Sequence, residues 1–152
     1  MIHRCFISQN VTLLVRAFIT YVRPLLEYNC VVWSPDLVRD VTLIEQVQRR
    51  FTKRLRVRGL RNVSYTERLK LLNMDTLEDR RLKFDLIYCY KFIFGLVRVN
   101  RDEFFELATS RTRGHPFKLY KRFSSSSARS LFFTERLINC WNQLPNSVDF
   151  SS

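Results

Sequence analysis

Three glycines and four prolines in 152 residues leave this chain few places to turn tightly. An all-β domain reverses direction every few residues and needs such residues at its turns. Helices need them only at their ends. Apolar residues make up 46% of the chain, enough for a real core at this length and too many for a chain disordered throughout. The expected fold class is therefore all-α: an irregular bundle of about five helices, with an extended basic arm before the last one.

Spacing places the helices. Val11, Leu14, Val15, Phe18, Val22 and Leu25 recur at helical intervals and predict a first helix over 10–32. Pro24 should bend or split it, because the ring removes a backbone donor. A turn at 34–36 precedes a second helix over 40–56, whose predicted stripe is Val41, Ile44, Val47, Phe51 and Leu55. Gly59 is its natural stop. Ser64 followed by Glu67 fits a capping box and opens a short helix. Thr76, Glu78 and Asp79 mark the start of another, which runs to about Phe94 and is apolar nearly all round from Leu86 onward. Residues 102–107 add a further turn or two. From Ala108 to Arg129 the character changes, with no acid, a Gly-His-Pro break at 114–116 and a four-serine run at 124–127. This segment reads as an extended arm, with room for a short strand at 117–123. A last helix over 131–144 puts Phe133, Leu137, Trp141 and Leu144 on one side. The expected organisation is a helical bundle over 1–107, the arm over 108–130, and a C-terminal helix over 131–152 docking back onto the bundle. One core and no internal repeat are expected.

Several kinds of chemistry lack their residues. The four cysteines, at 5, 30, 89 and 140, form no Cys-x-x-Cys pair, and the histidines stand only at 3 and 115. No zinc site and no cofactor are expected. The cysteines read as small buried hydrophobes in a reducing, intracellular compartment, nucleus or cytoplasm. No signal peptide is visible, and Arg16, Arg23, Pro24 and Glu27 interrupt the first apolar stretch, so no membrane span or membrane partner is expected. Glycine-rich phosphate loops are missing, as is an Asp-Asp pair to hold two metal ions. Glu78-Asp79 and Asp102-Glu103 are explained as helix starts. His115, in the basic arm, is a candidate phosphate contact without a partner acid for catalysis. Neither an enzyme activity nor a small-molecule substrate is expected.

Charge is the feature that points to a partner. The net charge is +12 and the pI about 10.1. Between Glu45 and Glu67 there is no acid but seven bases: Arg49, Arg50, Lys53, Arg54, Arg56, Arg58 and Arg61. Between Glu106 and Glu135 there is again no acid, and Arg111, Arg113, Lys118, Lys121, Arg122 and Arg129 follow one another. Outside these two windows acids and bases balance almost to zero. A phosphate backbone is a line of negative charge, and each phosphate neutralised releases condensed counterions. Most of the thirteen bases are arginines, which grip phosphate with two donors at once. In the second window Phe117, Tyr120 and Phe123 alternate with the cations, a pattern that suits unpaired bases. The predicted partner is RNA, DNA or an RNA–DNA duplex. The alternatives remain a solvated helix face for the first window and a hairpin core for the aromatics of the second.

The sequence also carries Tyr21-Val22-Arg23-Pro24-Leu25-Leu26-Glu27-Tyr28 and Val32-Trp33-Ser34-Pro35. Ile44-Glu45-Gln46-Val47-Gln48-Arg49-Arg50-Phe51-Thr52-Lys53 and Tyr65-Thr66-Glu67-Arg68-Leu69 follow. Then come Leu77-Glu78-Asp79-Arg80-Arg81, Thr109-Ser110-Arg111-Thr112-Arg113-Gly114 and Trp141-Asn142-Gln143-Leu144-Pro145. In this order and spacing they resemble the C-terminal region, downstream of the palm, of non-LTR (LINE, jockey-like) retrotransposon reverse transcriptases. The resemblance implies a thumb-like helical region that holds a template–primer duplex beside an upstream polymerase palm. The Asp-Asp motif and endonuclease of such proteins are absent, so the expected role is binding without catalysis. The chain reads as a fragment, stopping at Phe150-Ser151-Ser152 where the family continues with another short helix. Two other readings stay open: a helical protein-interaction remnant, and a pseudogene product without function.

Overall fold

A computed structural model describes residues 10–55, 62–109 and 114–150. The chain is all-α. Its helices are α1 (Val11–Ala17), α2 (Arg23–Glu27), α3 (Val38–Arg54), α4 (Tyr65–Leu71), α5 (Leu77–Ile93), α6 (Ser127–Ser130), α7 (Phe133–Arg136) and α8 (Ile138–Asn142), with a 3-10 turn at Arg101–Glu103. Among the described residues there is no strand, only one isolated antiparallel bridge between Leu107 and Leu119. No helix among them is long and apolar enough to cross a membrane.

Pro24 shapes the first helical stretch. It has no N–H to give to the Thr20 carbonyl, and its ring crowds that carbonyl. The helix widens instead of breaking: Phe18–Val22 is a π-helical segment between α1 and α2, where the Arg23 N–H reaches back to the Phe18 carbonyl. The helix then ends at Glu27, earlier than predicted, and Asn29 adopts a left-handed φ of 55°.

The described residues form two compact units rather than one bundle with an arm. The first comprises residues up to 30 and 35–81; the second, 31–34 and from 82 onward. Each has its own core, where the sequence reading expects one. In the first unit Leu14, Phe18, Phe51, Leu55, Leu69 and Met74 pack together, with the rings of Phe18 and Phe51 stacked at 4.3 Å. In the second, Cys89, Ile93, Phe105, Leu119, Phe133, Leu137, Ile138 and Trp141 do so, ringed by Phe92, Phe94, Phe117 and Phe150. The division falls within the α5 sequence. Leu77, Arg81, Asp85, Cys89 and Ile93 are all buried, one every fourth residue, so a single ridge of α5 is buried along its length.

The caps of the first unit follow the sequence closely. The Ser64 hydroxyl accepts from the Glu67 N–H at 3.2 Å, and the Glu67 carboxylate accepts from the Ser64 N–H at 2.8 Å. Those bonds hold the Glu67 carboxyl below its usual range. At α5 the Thr76 hydroxyl accepts from the Asp79 N–H at 3.0 Å, while Glu45, arriving from α3, accepts from the Leu77 N–H at 2.9 Å.

In the second unit the segment read as an arm is partly built into the core. Asn142 makes two backbone bonds to Leu119, accepting from its N–H and donating to its carbonyl, each at 2.8 Å. Trp141 Nε1 donates to the Phe117 carbonyl at 2.7 Å. The two side chains of α8 thus substitute for a neighbouring strand. Asn142→Ala should cost about 2 kcal/mol of stability, since two partly buried backbone groups lose their partners. Denaturant melts of the two proteins measure this, and an unchanged midpoint would mean that water replaces the clamp.

Candidate nucleic-acid interface

The first basic window begins on α3. Gln48, Phe51, Thr52 and Leu55 are buried, so the helix turns its other side to solvent. Arg49, Arg50, Lys53 and Arg54 are all exposed there. Positions 49 and 53, and 50 and 54, are each one turn apart, so the four cations form a compact block on the last turns of the helix. Two of them are positioned by neighbours. The Arg49 guanidinium lies over the Tyr65 ring, 4.7 Å from its centre. Arg50 donates to Gln46 Oε1 at 3.1 Å. Neither contact removes the positive charge. Lys53 and Arg54 also sit where the helix dipole favours cations, which by itself accounts for part of their placement.

A buried polar network orients this face. Gln48, wholly buried, donates to the Asp75 carbonyl at 2.9 Å and to Tyr65 Oη at 3.2 Å, and accepts from Arg23 at 3.4 Å. Tyr65 in turn donates a short hydrogen bond to Glu45. Burial first, and then the bond to Glu45, push the Tyr65 phenol well above its ordinary range, so it stays a neutral donor. Burial likewise lowers the Arg23 guanidinium. The network ties α3 to α4 and to the start of α5. The sequence reading missed Gln48 because it took Val47, 40% exposed, as the core position. Beside Glu45, its partners Arg23, Tyr65 and Asp75 lie 17 to 27 residues away, beyond any local pattern.

Arg56, Arg58 and Arg61 of the first window, and Arg111 and Arg113 of the second, lie outside the described residues. The rest of the second window divides in two. Tyr120, Lys121 and Arg122 are exposed, and Phe123 is almost wholly so. Arg122 is engaged by Glu106 at 3.1 Å, both side chains being more than half exposed. Lys118 is half-buried, its Cε and Nζ occupying the space a side chain at Gly114 would need. Phe117 belongs to the core, edge-on to Phe94 at 4.9 Å, and so leaves the predicted stacking set.

His115 corrects the sequence reading outright. It is 3% exposed, and its Nε2 donates to the Trp141 carbonyl at 2.9 Å. A carbonyl only accepts, so the proton sits on Nε2. The residue holds the segment to α8 and does not reach a phosphate. Cys89 is likewise structural, its thiol pushed far up by burial and then by Asp85. Among the described residues no group of three or more His, Cys, Asp or Glu is arranged to hold a metal ion.

The chain matches no known protein family profile and no solved structure. It is similar to an uncharacterised protein of Caenorhabditis elegans, 34% identical over 80 residues, which is 52% of this chain and 40% of that protein. The chain thus spans about two fifths of that relative's length.

Proposed function

We propose that this chain binds nucleic acid without sequence preference, through the exposed cationic block of α3 and without catalysis of its own. The carrying observation is that Arg49, Arg50, Lys53 and Arg54 share the solvent side of one helix whose other side is core. Cations clustered in this way meet a phosphate backbone at several points at once. With the motif resemblance, the reading extends to a thumb-like part of a non-LTR retrotransposon reverse transcriptase, holding a template–primer duplex beside a palm. The partner is then RNA, DNA or their hybrid.

The test is a salt titration of binding to a short RNA–DNA duplex, with duplex DNA and heparin as controls. A steep log–log slope, with the hybrid bound more tightly than heparin, is the expected result. Equal binding to every polyanion, or none at moderate salt, would reduce the block to generic charge.

A second reading, a protein-interaction module, is favoured by one observation. Tyr21, Leu25 and Tyr28 are each at least 65% exposed, and so is Val38. Large apolar side chains left in water in this number mark a contact surface. On that reading light scattering should show self-association at micromolar concentration, and a clean monomer would count against it.

A further inference from the structure

We infer that the second unit carries a pocket for a single unstacked guanine base, an inference that rests on the nucleic-acid reading and specifies what the second basic window adds to it. A cavity of about 310 Å³ lies in this unit, at the lower end of the size range of small-ligand pockets. Phe104, Tyr120 and Phe132 line it together with Arg122, Arg129 and Glu135. Tyr120 and Phe132 are each about half exposed, so they offer ring surface that the core does not use.

Glu135 is the unusual member. It is 7% exposed, and its Oε2 has no hydrogen-bond partner. A buried carboxylate oxygen without a donor is costly and calls for one. The other acids around the cavity do not share its position. Asp102 is held by Arg101 at 3.1 Å, Glu106 by Arg122 at 3.1 Å, and Glu103 is exposed.

Arg122 and Arg129 stand in the same wall, Arg122 engaged by Glu106, so Arg129 is the base placed to meet a ligand that brings phosphate with it. The ligand must then present hydrogen-bond donors to a carboxylate and a flat face to aromatic rings, which describes a nucleotide base. Among the bases, guanine sets two donors side by side, its ring N–H and its exocyclic amino group, to match the two oxygens of one carboxylate. Adenine and cytosine place a ring acceptor next to their amino group and would turn a lone pair toward Glu135. Uracil and thymine have one N–H between two carbonyls. In a single strand such a base is free to leave the stack, bonding along its Watson–Crick edge while its face rests on an aromatic side chain.

The test is fluorescence anisotropy of the whole chain with 12-mer oligothymidylates carrying one central guanine, adenine or hypoxanthine. The guanine strand should bind about tenfold more tightly than the adenine strand, the effect of one good bidentate contact. Hypoxanthine, which lacks the amino group, should lose most of that gain. Glu135→Gln, the same size with one acceptor turned into a donor, should abolish the preference. Tyr120→Ala, at an exposed position, should weaken all the strands about tenfold. Equal affinity for guanine and adenine strands overturns the inference, as does a Glu135→Gln protein that keeps the preference. So does displacement of the guanine strand by arginine methyl ester but not by guanosine monophosphate, which would make the site one for organic cations. If the 12-mers bind with a steep salt slope and no base preference, the pocket falls and the nucleic-acid reading stands. If the guanine preference holds while loss of the α3 cations leaves duplex affinity intact, the pocket stands and the α3 interface falls.

Discussion

Replacing Arg49, Arg50, Lys53 and Arg54 together by alanine is expected to lower affinity for an RNA–DNA duplex by roughly two to three orders of magnitude near 0.1 M salt. The same change should flatten the slope of log affinity against log salt by about three, since each lost phosphate contact removes roughly 0.7 to 0.9. The loss should be nearly equal for duplexes of different sequence, because phosphates carry no sequence information. The four positions are exposed, and alanine is the best helix former, so α3 should remain folded. Arg49 alone has a packing role, over the Tyr65 ring, worth about 0.5–1 kcal/mol at such a site. A thermal melt of the variant separates that term from binding. Should affinity and slope both stay as they were, the block is a solvated helix face and the proposed interface is wrong.

The readability of this chain followed the range of its interactions. The capping box at Ser64 and the Thr76 cap are contacts between residues three apart, and both are found where the residues put them. The basic face of α3 was legible for the same reason: helical spacing alone decides which side chains share a side. The phase of the buried side was misjudged by one residue. Local apolarity favours Val47, yet Gln48 is the buried residue, because its amide is satisfied by groups from three distant segments. Arg81 and Asp85 on α5 were overlooked in the same way, as charged residues on a ridge otherwise made of Leu77, Cys89 and Ile93.

The arm shows the opposite error. Its composition, basic and poor in aliphatics, suggests a free segment, but Leu119 and His115 are buried in the second unit. What binds the segment down is a pair of side chains on α8 directed at its backbone, and backbone groups leave no trace in composition. The last helix was placed correctly by its apolar side, with Phe133, Leu137 and Trp141 all buried. It is interrupted, however, into α7 and α8, while α6 precedes it in the segment read as an extended arm. A second core was invisible because both apolar clusters draw on the same kinds of residue at the same helical spacing.

Arg136→Ala should cost about 3–5 kcal/mol of stability, a large share of the roughly 5–15 kcal/mol typical of a folded domain. Arg136 meets Asp85 with two parallel bonds, Nε to Oδ2 and Nη2 to Oδ1, each at 3.0 Å. It also donates to the Val31 carbonyl at 2.9 Å and the Leu131 carbonyl at 3.3 Å. The Asp85 side chain is only 8% exposed and that of Arg136 17%. Truncating the arginine therefore strands a buried carboxylate and two carbonyls, which is far more costly than losing an ion pair at the surface. The double variant Arg136→Met with Asp85→Leu removes both charges and should recover most of the loss. Urea melts of the single and double variants read both effects, and a single variant within about 1 kcal/mol of the parent would show the pair to be solvated. The same protein also tests the division between structural and binding arginines. Most donors of Arg136 are committed to Asp85 and to backbone carbonyls and its side chain is only 17% exposed, so it is poorly placed to meet a phosphate. Below its melting temperature, Arg136→Ala should keep the duplex affinity and salt slope of the parent, although it removes one positive charge as surely as Arg49→Ala does. A parallel fall in affinity would mean that net charge, rather than the α3 face, governs binding.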